Sequence, residues 1–583
     1  MRNFFYFIKY YFKYIYIIII FFKFYLRQIF KKVIFNFNIN KENFRDPRTF
    51  WESFYDKKNI FNNKLSLRLL GQEIRNCFVL QKKSNYIFKA TSVQTILRLG
   101  FFFEKKFFQE IEGNVQLKVN GFEIKKLLEL EKLLFNEWHD SWIKIKKNCN
   151  VEIINNTNCD VYVSKVLTKA LTKNVNKKYN KVNNIIFLVL DSLDVDLMKE
   201  KNYLLNSKNI FKFFKNKIIY KNCFSSSEWT IPWISSFFKG MSASAHRLTD
   251  TRDSFEIKNP YSNNLIDLLI KNDFFTVGLG NKSLYNPWWK NLSGFNRFFP
   301  TKGSFEKNLN ILNVSKKIIE VLESGKSTKN FFFAHVMDTH FPWAQRSYSE
   351  QYKIGPKRIC DPYYLFKLQD SQRDTKSEPI YNADTINKLK QYARIRLQEV
   401  DRDLNFLFTY LNENNLLSKT MFILTSDHGY TYHGKYKHLL NFKRTNVPLF
   451  ISHPDLNKKN NNSLINNSTD LYDLLVNFIL NKRQKNFNQI KKFNKYLIRK
   501  NKYLISESIF GKKYKASVRS SKNSYHISCE YSKEYNSIFL SKKYYEDLYN
   551  FNETKKIKDK NKIILFDSVL RNFLNKNFSG KII

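Results

Sequence analysis

The chain has 583 residues, 43% hydrophobic and 17% aromatic, which excludes a disordered or collagen-like polypeptide, since both lack the apolar surface that offsets chain entropy. Lys and Arg number 99 against 51 Asp and Glu, a formal charge of +48, while Gly is scarce at 15 and Lys, Asn, Ile, Phe and Tyr abound. That profile reads as codon bias toward A and T over a solvated surface, and it also suits a polyanionic partner.

The first segment, residues 4–26, is the most apolar, but Lys9, Lys13 and Lys23 interrupt it and leave only 14–22 uncharged. Such a run, at ~1.5 Å per residue, falls short of a ~30 Å hydrocarbon core. On a helix, Arg2, Lys9, Lys13, Lys23, Arg27 and Lys31 share one side. The expectation for residues 1–40 is therefore a basic amphipathic helix. It could lie in a membrane interface, act as a signal-anchor with snorkelling lysines, or pack on the rest of the protein. The first alanine is Ala90, so no A-x-A site follows and no cleavable signal peptide is expected.

Residues 65–172 alternate short apolar runs with polar turns and predict a β-sandwich-like domain, interrupted by a more helical stretch at 123–138. A polar, basic linker is expected at 173–184. The pattern then changes. Residues 185–190 form a continuous apolar run, as do 274–279, 331–336, 421–425 and 447–451, with helical stretches at 265–270, 314–323 and 383–412 between them. Continuous runs suit strands buried on both faces, so 182–480 is expected to form an α/β unit, a mainly parallel sheet with helices on both faces. Residues 457–467 read as a loop. From 500 to 583 short strands (503–506, 515–519, 524–528) and a last helix at 563–574 predict a small antiparallel subdomain. The six cysteines are widely spaced, without a C-x-x-C pair, and read as buried free thiols. No nucleic-acid motif occurs, and nucleic acid is not an expected partner.

Ligands of an open parallel sheet bind beyond the carboxyl ends of its strands. The residues there form a consistent set: Asp191-Ser192 after 185–190, Asp338-Thr339-His340 after 331–336, and Ser426-Asp427-His428-Gly429 after 421–425. Asp191, Asp427 and His428 supply two carboxylates and an imidazole, a donor set suited to one divalent cation such as Ca2+, Mg2+ or Mn2+. Elsewhere, His246-Arg247 is a candidate anion contact or a surface turn, and Trp288-Trp289 a candidate sugar platform or core packing.

The segment from Tyr392 to the Ser-Asp-His-Gly at 426–429, the Val189-Leu190-Asp191-Ser192 strand end, His340-Phe341-Pro342-Trp343, Lys437 eleven residues before Pro448, and Leu548-Tyr549-Asn550 resemble the sulfatase family of the alkaline phosphatase superfamily. The resemblance runs over residues 182–555. It implies an alkaline-phosphatase-like fold, a metal held by Asp191, Asp427, His428 and the nucleophile, and substrate contacts from His340 and Lys437. The family's C-x-P-S-R segment reads here Thr230-Ile231-Pro232-Trp233-Ile234, so threonine replaces the residue oxidised to formylglycine and the arginine is missing. Threonine at this place resembles lipoteichoic-acid-synthase-like phosphoglycerol transferases, and Ser192 replaces a second Asp. Together these imply Thr230 as metal-activated nucleophile, Lys437 and His340 balancing charge, and His438 or His433 protonating the leaving oxygen. The expected activity is hydrolysis or transfer of sulfate or phosphate esters of an anionic glycan or glycolipid. The alternative is a catalytically silent sulfatase-like module that binds such glycans.

Overall fold

The computed structural model describes residues 66–583 apart from 171–181, 250–263, 282–293, 302–309, 342–382, 432–439, 481–500 and shorter connections. The helix expected over 1–40, and with it the membrane-surface expectation, lies outside the described residues, as do Trp288, Trp289, Cys360, His433, Lys437 and His438. Among the described residues, no helix is long and apolar enough to cross a membrane.

The strand Asn184–Leu190 is buried along its whole length. It lies in parallel register with Lys329–Val336 on one side (Ile186 opposite Phe332) and with Thr420–Thr425 on the other (Ile186 opposite Phe422). Its alternate side chains enter two separate cores: Ile186, Leu188 and Leu190 join one, and Ile185, Phe187 and Val189 the other. A strand covered on both faces cannot spare a polar position, which is why this segment is continuously apolar. The first core is closed by the helices Ile311–Ser324 and Ala383–Glu413, the second by Thr230–Lys239, Leu265–Lys271 and Thr469–Leu480. Phe274–Asn281 extends the sheet in parallel beside Lys329–Val336, and Leu449–Ser452 is an antiparallel member next to Thr420–Thr425. The expected α/β class, mainly parallel with helices on both faces, is the class observed.

Three expectations need correction. Residues 457–467, read as a loop, contain the strand Lys459–Asn466, which pairs in parallel with Ile218–Phe224 at the end of the sheet. Part of the stretch expected to be helical at 123–138 is the strand Phe122–Leu128. The β-rich N-terminal region does have two sheets around one core, including Phe78, Leu99, Phe101, Leu117, Ile153 and Val163. One of those sheets, however, continues into the parallel sheet through the Ile74–Phe298 pairing, giving one sheet of 14 strands. From Leu504 onward a separate five-stranded sheet forms, antiparallel except for its last pair. The helix Lys560–Asn577 packs on it through Phe566, Leu570 and Leu574 and is capped by Asp559, whose carboxylate accepts from Lys562 N at 3.1 Å.

Candidate metal-assisted ester-transfer site

Three strand ends and one helix start converge. Asp191 follows Asn184–Leu190, Asp427 and His428 follow Thr420–Thr425, His335 is the penultimate residue of Lys329–Val336, and Thr230 opens the helix Thr230–Lys239. All five side chains are buried. Thr230 Oγ1 donates to Asp427 Oδ2 at 2.7 Å and lies 3.5 Å from Asp191 Oδ2. Pro232 sits in the first turn of that helix, where its missing N–H costs no hydrogen bond, and Gly240 ends it at φ 65°, a left-handed cap that a side chain would strain. The hydroxyl of Thr230 thus stands at the positive end of a ten-residue helix dipole.

The turn at Asp191 places Ser192 at φ 55°, from where its backbone N–H donates to Asp427 Oδ1 at 3.1 Å and its hydroxyl to Asp191 Oδ1 at 2.6 Å. Thr339 Oγ1 donates to the Asp191 carbonyl at 2.6 Å, tying the third strand end to the first. Gly429 lets the chain turn away: its N–H donates to Arg444 O at 2.7 Å, and a Cβ there would collide with the Lys443 carbonyl. Asn467 fastens the helix to the sheet, accepting from Trp233 Nε1 at 2.8 Å and donating to Thr425 Oγ1 at 3.0 Å.

The electrostatics define what this cluster asks for. His428 Nδ1 lies 2.9 Å from the Gly429 carbonyl, which can only accept, so Nδ1 carries the proton. Burial lowers the His428 pKa and Asp427 offsets this only in part, so the ring is neutral and Nε2 presents a lone pair. That lone pair faces Asp427 Oδ2 at 3.5 Å and Asp191 Oδ1 at 3.8 Å. Asp191, Asp427 and His428 each offer a ligand atom within 4.8 Å of the others. Converging acceptors of oxygen and nitrogen type in a buried site fit a divalent cation. Burial would raise the Asp427 pKa, but with the His428 ring neutral it is the hydrogen bond and charge of His335 and the hydrogen bond from Thr230 that hold it well below the usual carboxylate range. His335 is pulled down by burial and raised, on balance, by its hydrogen bond to Asp427 and the charges of Asp191 and Asp427.

The sulfatase family's sequence profile matches residues 183–477, half of the chain and all of the elements just described. The chain belongs to the sulfatase family. Among solved structures, BT4656 in complex with D-glucosamine-2-N,6-O-disulfate is 16% identical, with a TM-score of 0.51 over 68% of this chain and 98% of that one. BT1596, a 2-O GAG sulfatase, is 13% identical, with a TM-score of 0.50 over 69% and 93%. No curated protein matches by sequence.

Within this sulfatase fold, the residues read from the strand ends, Asp191, Asp427 and His428, come together, and Thr230 joins them. His340 follows Thr339 directly and is half-buried; its neighbour Phe341 stacks on Tyr430, just past the Ser-Asp-His-Gly segment, at 6.1 Å. Lys437 and His438 lie outside the described residues. His246 does not serve as an anion contact: it is buried, Nδ1 accepts from Leu248 N at 2.9 Å, and Nε2 lies 3.0 Å from Ser236 Oγ. Burial and Lys239 press its pKa down to about 3, so it is a neutral brace within the helix layer. Arg247 beside it is exposed, at φ 55°. Asp338 turns away from the cluster to pair with Arg396 of the long helix. Asp401, further along that helix, accepts from Asn209 N at 3.0 Å and Ile210 N at 2.8 Å, holding the start of Lys208–Phe214. Ile234, where a sulfatase carries arginine, is fully buried in the second core. His335 was missed because a histidine inside an apolar run reads as a core residue; the signal was its place one residue before a strand end.

Proposed function

We propose that the protein is a metal-dependent ester hydrolase that moves the sulfuryl group of a sulfated glycan to Thr230 and then to water. The observation that carries this reading is the 2.7 Å contact of Thr230 Oγ1 with Asp427, at a helix N-terminus and inside a buried carboxylate–imidazole set. Asp191, Asp427 and His428 would hold a divalent cation, which when bound would supply Lewis-acid charge that acidifies the Thr230 hydroxyl. Thr230 Oγ1 bonds to sulfur as the bond from sulfur to the ester oxygen breaks. Its proton passes to solvent, while Asp427, held too acidic to keep it, accepts the hydrogen bond that orients Oγ1, and the leaving oxygen takes a proton from His340, Lys437 or His438. Water attacking sulfur then frees sulfate and restores the hydroxyl. Family membership supports the ester chemistry; the sulfated sugar named for BT4656 and the net charge of +48 support an anionic glycan.

The identity of residue 230 favours a second reading, phosphoryl transfer. A formylglycine hydrate has a second hydroxyl with which to expel sulfate, whereas a threonine ester waits for water or an acceptor alcohol. Turnover of nitrophenyl sulfate and of a bis-nitrophenyl phosphodiester, each with Ca2+, Mg2+ or Mn2+, separates the two. Sulfate release is expected to be the faster reaction. Phosphodiester cleavage alone selects the second reading, and no turnover without any metal-induced rise in Tm selects a silent binding module.

A further inference from the structure

The short helix Phe442–Thr445 brings one more charged group to the transfer site, from a part of the chain that lies beyond the strand ends. It is fixed on three sides. Asn441 caps it, its side chain accepting from Arg444 N at 3.0 Å. The Arg444 carbonyl accepts from Gly429 N at 2.7 Å, one residue past His428, and the Thr445 carbonyl accepts from Ser225 N at 2.7 Å, while Ser225 Oγ donates to the Asp427 carbonyl. The backbone at Arg444 is therefore tied both to the segment carrying Asp427 and His428 and to the loop that leads into Thr230.

The side chain is anchored to the same loop. Arg444 Nε donates at 2.9 Å to the carbonyl of Glu228, two residues before Thr230. That bond uses one of the five guanidinium N–H donors. Among the described residues, the four on Nη1 and Nη2 have no partner, and the side chain is half-buried rather than enclosed. Its charge reaches the donor set, where Arg444 is the cation that opposes protonation of His428. Lys443 beside it is paired with Asp196. The helix that presents Thr230 has its one basic residue, Lys239, at the far end. A sulfuryl or phosphoryl group in transfer carries negative charge on the oxygens not bonded to the sugar, and Asp191 and Asp427 repel it. A fixed cation near the nucleophile offsets that repulsion, and a guanidinium offers paired donors that match two oxygens of a tetrahedral oxyanion.

We infer that Arg444 binds the sulfuryl or phosphoryl oxygens of the ester through Nη1 and Nη2, a substrate-binding residue that the helix Phe442–Thr445 supplies to the nucleophile's side of the site. This role rests on the ester-transfer reading of the site, but binding reports it without turnover. The test is calorimetric titration of the full chain carrying Thr230→Ala, at constant Mg2+ and ionic strength, with sodium sulfate and, separately, sodium phosphate. Adding Arg444→Gln is expected to weaken the better-bound anion by about tenfold to a hundredfold, with Mg2+ affinity no lower than before. Arg444→Lys keeps the charge and a donor for the Glu228 carbonyl, and is expected to fall between the two, because an ammonium lacks the paired donors. Tighter binding of sulfate than of phosphate identifies a sulfate ester as the ligand, and the reverse order a phosphate ester. Absent affinity for both anions overturns the proposal, as does affinity that Arg444→Gln leaves unchanged, or that Arg444→Lys leaves unchanged should Arg444→Gln fail to fold. Thr230→Ala turning over at the parent's rate, while Arg444→Gln still weakens anion binding, would remove the threonine nucleophile and leave the role of Arg444 standing.

Discussion

His335 shows how one side chain organises a charged site without being part of the donor set. Its Nε2 lies 3.4 Å from both Asp191 Oδ2 and Asp427 Oδ2, holding the two carboxylates in one orientation. Replacing it with Leu is expected to lower divalent-metal affinity about tenfold to a hundredfold, as loss of outer-sphere partners does. Metal titration followed by calorimetry checks this, and His335→Gln should recover part of the affinity. Asp191, Asp427 and His428 were legible in the sequence because each follows an apolar run whose only structural reason is a doubly covered strand. His335 was not, because within the same kind of run a buried histidine and an active one look alike. His246 failed for the opposite reason: its sequence position beside Arg247 suggested exposure, whereas Leu248 N in the turn after it and Ser236 of the helix Thr230–Lys239 supply partners for its two ring nitrogens.

At the level of elements, the position of Thr230 depends on how the helix Thr230–Lys239 is pinned to the strand Thr420–Thr425. Asn467 makes that link while sitting directly after the strand Lys459–Asn466 and just before the helix Thr469–Leu480. Asn467→Ala removes the acceptor of the buried Trp233 indole N–H and a donor to Thr425 Oγ1, which keeps its own bond to the Pro448 carbonyl, a cost of about 1 to 3 kcal/mol. A lower Tm accompanied by a fall in turnover greater than the loss of folded protein is expected; unchanged turnover would remove the positioning role. The preceding strand escaped sequence reading because Lys459-Asn460-Asn461-Asn462 carries no alternation, and an edge strand needs none. The central strands were legible for the reason this one was not: burial on both faces leaves a mark in every residue.

Across the whole molecule, the C-terminal sheet is held to the α/β unit by a buried charge cluster. Glu553 accepts from Phe442 N at 2.8 Å, Arg519 at 3.0 Å, Ser524 at 2.8 Å and His526 at 2.9 Å. Burial opposes ionisation of Glu553, but His526 and Arg519 outweigh it and hold the carboxyl well below its ordinary 4.5. With the folded pKa depressed, the stabilisation is present above about pH 4.5 and is lost as pH falls from there toward the folded value. Glu553→Gln is expected to cost about 2 kcal/mol at neutral pH and to flatten the acid limb of a Tm-versus-pH curve. A variant with the parent's acid limb would show that the carboxylate does not hold the sheet. The joining of the N-terminal sheet to the parallel sheet was not legible, because one pairing, Ile74 with Phe298, makes it and leaves no pattern in the sequence.

Thr230 is the residue on which the proposed chemistry turns, and metal-supplemented turnover of Thr230→Ala beside Thr230→Ser and the parent tests it most directly. Thr230→Ala is expected to lose at least about a thousandfold in kcat with an unchanged Tm, while Thr230→Ser, which keeps the hydroxyl, stays active. Turnover by Thr230→Ala at the parent's rate would contradict a threonine nucleophile.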